Sequence, residues 1–300
     1  MKKKTTKKNF WYRDNTVGYV FSAPFIIGFL VFTIIPIIVS MYYSVTDYKL
    51  GQTPEFIGMK NYVNLFRDER FMNSMKVTLI YVIISVPTKL IFALFVAYLL
   101  TQKHKAVTIY RSLYYVPSLI GGSIAVALVW KTIFSRRGLA NAVLASMGIA
   151  KQSWLGDPKL SMGILILMAA WQFGSPMIIF SAGLKEIPIT YYEAAQIDGA
   201  NRWKQFQNIT LPCLSPIILY NLVMQTITAF MTFTQAFVIT QGGPNDSTNF
   251  YALYVYNHAF KWSNMGYASA MSWIMLVLIS IITFILFKTS KLWVFSETGN

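Results

Sequence analysis

Six apolar runs, each about as long as a bilayer is thick, decide what this chain can fold into. They lie at roughly 18–43, 75–101, 110–134, 160–183, 213–240 and 267–287. A helical span needs about 20 mostly apolar residues. Hydrocarbon offers no water to pair with backbone N–H and C=O groups, so each run must satisfy its own as a helix. The expectation is an all-α polytopic membrane protein with six transmembrane helices. Composition agrees: 12% of the 300 residues are charged and 55% are hydrophobic, whereas a soluble domain carries about 25% charged residues. The third and fourth runs are interrupted, at Gly121-Gly122 and at Gly174-Ser175-Pro176. Such breaks are tolerated where neighbouring helices or a cavity satisfy the freed backbone.

The formal charge of +15 raises the question of nucleic acid. The basic residues argue against it, because they cluster at the edges of the apolar runs, where they set orientation. No basic stripe interleaves with aromatics on a soluble fold. With the N-terminus inside, the inner segments hold fourteen Lys and Arg and the longer outer segments eleven. This bias predicts a cytoplasmic N-terminus. The Lys-rich start before the first run resembles a signal peptide. The run is too long for one and lacks a small-residue cleavage site, so it reads as an uncleaved span. The expected organisation is a basic cytoplasmic tail (1–16), one transmembrane domain (17–290) with a cytoplasmic loop at 184–212, and a C-terminal tail (291–300). The single cysteine, Cys213, excludes an internal disulfide.

The segment from Glu193 to Pro212 is polar, yet long apolar runs flank it. It predicts two short helices. The first ends at Gly199, which can adopt the left-handed conformation that stops a helix. Asn201 can cap the second, which runs to about Ile209, with Pro212 closing it. A helix-turn-helix hung between two spans is a rigid knob able to carry movement from a soluble partner into the membrane.

The spacing Glu193-Ala194-Ala195, Gly199, Ile209, Leu211-Pro212 resembles the cytoplasmic loop of the membrane subunits of binding-protein-dependent ATP-driven importers. Asp198, Ala200, Phe206 and Pro216 agree with the sugar-importer branch. The likeness continues in Phe56-Ile57-Gly58-Met59-Lys60-Asn61-Tyr62, in Arg111 with Tyr114-Tyr115-Val116-Pro117, and in Gln241-Gly242-Gly243-Pro244 with Thr248. It covers about residues 17–287 and is nearest to the maltose-type and glycerol-phosphate-type permeases, without the extra N-terminal spans and large outer domain of the maltose-type subunit.

The resemblance implies the type I ABC importer permease fold in a bacterial cell membrane. It implies a second homologous permease, favouring a heterodimer over a homodimer, two ATPase subunits and an extracytoplasmic sugar-binding protein. ATP and Mg would belong to the ATPases, with no cofactor on this chain. It places the loop in a groove of the ATPase, with Glu193, Ala194, Ala195, Asp198, Gly199, Ala200, Phe206, Leu211 and Pro212 as coupling residues. The plainer alternative is that Glu193 is an ordinary helix-surface charge on a loop that merely links two spans.

No catalytic constellation is visible. His104 and His258 fall on opposite sides of the membrane, so they cannot share a metal. No Gly-x4-Gly-Lys-Ser/Thr phosphate loop occurs. The clearest candidate for a solute path is in the fifth run. Asn221, Gln225, Thr228, Thr232 and Gln235 recur at helical spacing and predict one polar stripe about 20 Å long. Leu222, Val223, Phe230 and Phe233 face away from it. Uncharged amides and hydroxyls suit a neutral polyhydroxylated solute; equally, they can be hydrogen-bonding glue between helices. Trp171, Gln172 and Trp273 can add stacking faces or a polar contact, or simply pack. Lys89, near the middle of the second run, is expensive in a membrane. It can meet an acidic sugar such as a uronate, snorkel, or bond carbonyls freed by Pro87. An ion-coupled sugar transporter is the alternative function, but it favours an intramembrane carboxylate. All eleven acidic residues fall outside the six runs. A membrane-embedded enzyme is disfavoured by the lack of paired catalytic groups.

Overall fold

The computed structural model describes residues 14–101 and 107–295. Most of the basic N-terminal tail, residues 102–106 with Lys103, His104 and Lys105, and the last five residues of the C-terminal tail lie outside the described residues. The described residues are mainly helical, with two isolated β-bridges and no longer strand pairing among them. Four helices are long and apolar enough to cross a membrane: Gly18–Ser44, Glu69–Leu99, Arg202–Phe230 and Met265–Ser290. Two bent pairs bring the number to six if each pair is one span. The chain divides into two compact units, one formed by Met1–Asn64 with His258–Trp273, the other by Leu65–Asn257 with Ile274–Asn300.

In the first unit, α1 (Asp14–Phe29) and α2 (Ile35–Ser44) join through a π-helical turn, Leu30–Ile34. That turn directly precedes Pro36. Proline lacks an N–H and its ring crowds the carbonyl four residues back, so a wider turn accommodates it without ending the helix. The most apolar stretch of this span buries no residue within the chain, as expected of a helix left for lipid or another subunit, and only Ser44 at its end is buried. At its end the Asn61 amide, on α3 (Lys60–Arg67), donates to the Ser44 and Thr46 carbonyls, each at 2.9 Å. Gly266 lies against the Thr46 backbone, where a side chain would collide. It opens α14 (Met265–Ser290), and its N–H donates to the Tyr48 carbonyl at 2.9 Å.

In the second unit, α4 (Glu69–Leu99) is central. Asp68 caps it by accepting from the Arg70 and Phe71 N–H groups. Tyr81, Leu90, Ala93 and Ala97 are buried on α4, while Ile83 and Ile91 are exposed. Ala93 and Ala97 are fully buried, since small residues let helices approach closely where no hydrophobic effect drives association. Around α4 pack α8 (Pro158–Trp171), α9 (Gly174–Glu186), α12 (Leu211–Phe230) and α13 (Tyr251–Tyr256).

The predicted third and fourth spans are not rods. α5 (Val107–Ile120) and α6 (Ile124–Ile133) meet at 97°, α8 and α9 at 41°. The first break falls at the Gly121-Gly122 pair. The second falls at Gln172-Phe173, just before the predicted Gly-Ser-Pro, because Pro176 fits the first turn of α9. The breaks satisfy each other. Ser118 Oγ donates to the Gln172 carbonyl at 2.9 Å and accepts from the Ser175 N–H at 3.0 Å, and Gln172 Nε2 donates to the Gly121 carbonyl at 3.3 Å. Between α6 and α8, α7 (Leu139–Ser146) carries the buried Asn141, which exchanges two 2.9 Å bonds with the Gln152 backbone.

Candidate functional site

Six of the residues singled out by the sequence line one polar pocket. Lys89 comes from α4, Gln172 from the α8–α9 break, and Gln225, Thr228, Thr232 and Gln235 from α12 and the segment beyond it. The predicted stripe was one continuous helix. In the structure α12 ends at Phe230, and helix resumes around Thr234–Gln235 before a π turn at Ala236–Thr240. Thr232 therefore sits in an opened stretch of backbone at the pocket, the situation in which non-helical chain is tolerated at membrane depth. Thr228 and Thr232 hydroxyls donate backward along the chain, to the Met224 carbonyl at 2.8 Å and the Thr228 carbonyl at 3.5 Å. The pocket has a volume of about 60 Å³, against about 300–1,000 Å³ for typical ligand sites. At that size the pocket does not admit a sugar ring.

Two polar lining residues escaped the sequence reading, Tyr81 and Ser85. Both are buried. Their signal was present. Tyr81, Ser85 and Lys89 are spaced by four and form a polar stripe on α4, hidden because a tyrosine and a serine each read as unremarkable alone.

Three predicted residues lie elsewhere. Asn221 is fully buried, its amide donates to the Ile217 carbonyl of its own helix at 3.1 Å, and its Oδ1 has no partner among the described residues. Trp171 tilts against Trp130 at 5.8 Å, which stacks on Phe134; this aromatic cluster is outside the pocket lining. Trp273 belongs to the first unit. Val223 and Phe230 are buried, and Leu222 and Phe233 pack against the core.

The charge of Lys89 needs explaining. A lysine at the centre of a membrane helix costs about 2.5–3.5 kcal/mol. Elsewhere that cost is met within the fold: Lys131 Nζ donates to the Val238 carbonyl at 3.0 Å. Lys89 is half-buried and forms no ion pair among the described residues.

The second candidate is the elbow at 189–212. Helix α10 (Ile189–Ile197) has no buried residue, and Ile197 is 88% exposed. Glu193, Ala194, Asp198 and Gly199 are exposed, while Ala195 and Ala200 are half-buried. Its end is built by backbone. Gly199 has φ +76°, the Ala200 N–H donates to the Ala195 carbonyl at 2.8 Å, and the Gly199 N–H to Gln196 at 3.0 Å. These are the two bonds of a Schellman cap. The Asn201 side chain then accepts from the Lys204 N–H at 2.9 Å, opening α11 (Arg202–Gln205). Gln205 is buried and its amide donates to the Ala200 carbonyl at 2.9 Å, which locks the bend.

The predicted second helix does not stop at Pro212. Arg202–Phe230 is one run of 29 residues, with a π turn at Phe206–Thr210 just ahead of Pro212. This is the device seen before Pro36, and it makes the elbow continuous with α12. Phe206 is wedged between Tyr98 of α4 at 5.3 Å and Trp203 at 5.8 Å. Tyr192 bonds Thr210 at 2.9 Å. Burial pushes the Tyr192 phenol above its ordinary pKa, against the pull of that bond. It therefore stays neutral. A cleft of about 560 Å³ opens beside the elbow, lined by Tyr98, Lys185, Tyr192, Arg202 and Gln205 among others.

Comparisons with known proteins bear on this arrangement. The chain is 52% identical over 290 residues to a protein of Bacillus subtilis (strain 168) called "Probable ABC transporter permease protein YesP", covering 95% of this chain and 94% of that one. It is 30% identical to the same organism's "Arabinooligosaccharides transport system permease protein AraP", covering 94% and 91%. Its fold matches, with a TM-score of 0.82 at 24% identity and 94% and 97% coverage, a chain of a bacterial alginate ABC transporter solved with an alginate pentasaccharide-bound periplasmic protein. The family model "Binding-protein-dependent transport system inner membrane component" matches residues 63–291, from α3 through the pocket and elbow to the end of α14. The chain is therefore a multi-pass membrane transport component and belongs to the binding-protein-dependent transport system inner membrane component family.

Proposed function

We propose that this chain forms half of the translocation path of an ATP-driven carbohydrate importer, with an oligosaccharide as cargo. The observation that carries the reading is the pocket of amides and hydroxyls, with one lysine, gathered from α4, the α8–α9 break and α12 with the segment beyond it. Such groups exchange a water bond for a sugar hydroxyl bond at little net cost. The arabinooligosaccharide transport name of a relative sharing 30% identity supports a sugar of more than one ring. Family membership replaces the ion-coupled alternative.

In this reading the elbow couples the path to two ATPase subunits, which alone hold ATP and Mg, and Glu193 and Gly199 lie at the contact. A second, homologous permease completes the pore as a heterodimer, and an extracytoplasmic sugar-binding protein delivers the cargo. The N-terminus is cytoplasmic, as the basic bias favours, and the cell membrane is bacterial. Residues 17–290 act as one permease domain. Support for the coupling role comes from an exposed helix whose bend is fixed by backbone bonds and is continuous with α12, which lines the pocket. A push on α10 would reach Gln225 and Thr228 through one helix.

The test is uptake of labelled oligosaccharide by cells expressing the system. Uptake is expected to stop on ATP depletion and to survive a protonophore when ATP is kept high. Loss of uptake with the protonophore at constant ATP overturns the ATP-driven reading.

A further inference from the structure

The two lysines embedded in the second unit are held in different ways. Lys131 donates to a backbone carbonyl, so the fold itself receives its charge. Lys89 has no hydrogen-bond or ion-pair partner among the described residues, and it faces the polar pocket. Among the described residues no carboxylate lines that pocket; the other polar groups are neutral amides and hydroxyls. The carbonyl that Pro87 frees belongs to Ile83, which is 67% exposed. Six residues place it about 120° around the helix from Lys89. That structural use of the ammonium is therefore unsupported, and the positive charge is left uncompensated where the proposed path closes.

We propose that Lys89 makes this chain selective for an anionic carbohydrate, one whose rings carry a carboxylate, such as an oligouronate. The inference rests on the pocket being the sugar path. A carboxylate entering it meets the ammonium in a charge-assisted hydrogen bond, while its hydroxyls exchange bonds with Gln172, Gln225 and Thr228. A neutral sugar of the same shape displaces the waters around Lys89 and returns nothing to the charge. Selectivity thus comes from attraction for one cargo and from a desolvated cation against the other.

The experiment uses the complete importer in proteoliposomes with its binding protein. Uptake of labelled α-1,4-trigalacturonate is compared with uptake of its carboxyl-reduced trisaccharide, each normalised to the amount the binding protein holds. Wild type is expected to favour the acidic sugar by about tenfold, the scale of one charge-assisted bond. Lys89→Gln should remove that preference by lowering acidic uptake while neutral uptake holds or rises. Lys89→Arg should retain it. The neutral sugar serves as the folding control, since a damaged protein loses both. Equal normalised uptake by wild type, or an undiminished preference for the acidic sugar in Lys89→Gln, overturns the proposal. Gln225→Leu separates it from the reading beneath it. Unchanged uptake of both sugars in that variant would mean that the path itself lies elsewhere.

Discussion

The elbow and the pocket are built in opposite ways. On α10 most side chains are exposed, with only Tyr192 and Ala195 half-buried, while the backbone is fixed by the Gly199 cap and the Asn201 bond. In the pocket the side chains converge, while the backbone around them is broken at Gln172 and after Phe230. A rigid frame carrying idle side chains suits recognition by an outside body. Converging side chains on loosened backbone suit a site that opens and closes. The two regions should therefore fail differently, the elbow to changes of charge or backbone angle, the pocket to changes of polarity.

The sharpest way to break this contrast is at the elbow. Glu193→Lys and Gly199→Asp are expected to abolish uptake while the chain still inserts. Reversing a charge at an interface costs about as much as unpairing a buried one, so ATPase association should weaken by about tenfold to a thousandfold. Gly199 has open space around it but a φ of +76°, so a side chain there strains the turn rather than clashing. Co-purification of the ATPase and uptake are the readouts. Full uptake with either variant would leave the elbow a mere linker.

A second test asks whether the stripe is wet. With Cys213 changed to Ser, single cysteines at Gln225, Thr228, Thr232 and Gln235 should react with a water-soluble thiol reagent when the pore opens. Those at Leu222, Val223 and Phe233 should stay protected, as buried thiols are. Asn221 now joins the protected set, because the structure buries it away from the pocket. Equal labelling on all faces would make the stripe interhelical glue.

Polarity itself is the next lever. Gln225→Leu should lower transport by about twofold to tenfold, the worth of one hydrogen bond. Leu222→Ala should do less, since it only trims packing. Rates of uptake at saturating sugar decide between them, and the reverse order would move the path off this face.

What could be read from the sequence followed how local each feature was. The elbow was visible almost whole, because a Schellman glycine and an N-cap asparagine act on neighbouring residues. Its end was misread, because a proline usually closes a helix and nothing local announces the π turn that carries the chain past Pro212. The spans were visible as apolar length. The 97° bend at Gly121-Gly122 was foreseen as a break but not as a right angle, since the angle depends on Ser118 and Gln172 meeting across two helices. The pocket was half visible. Single-helix periodicity found Gln225 to Gln235 but could not pair them with Tyr81 and Ser85, which only α4 packing supplies. It also overcounted Asn221, because spacing alone does not tell which side of a helix another helix covers.

The smallest expected effect tests how rigid the elbow must be. Tyr192 and Thr210 tie α10 to the π turn by one bond of 2.9 Å. Tyr192→Phe keeps the ring and removes that bond, at a cost of about 1 kcal/mol. Burial keeps the phenol neutral, so no charge is lost with it. The Schellman cap, the Asn201 cap and the Gln205 bond to Ala200 remain, and they fix the bend without the phenol. Uptake should therefore fall by less than about fivefold, and amide hydrogen exchange should quicken at Phe206–Thr210 more than in α12 beyond Pro212. A loss of uptake as large as that from Glu193→Lys would place the coupling in this side-chain tie and overturn the contrast between a backbone-built elbow and a side-chain-built pocket.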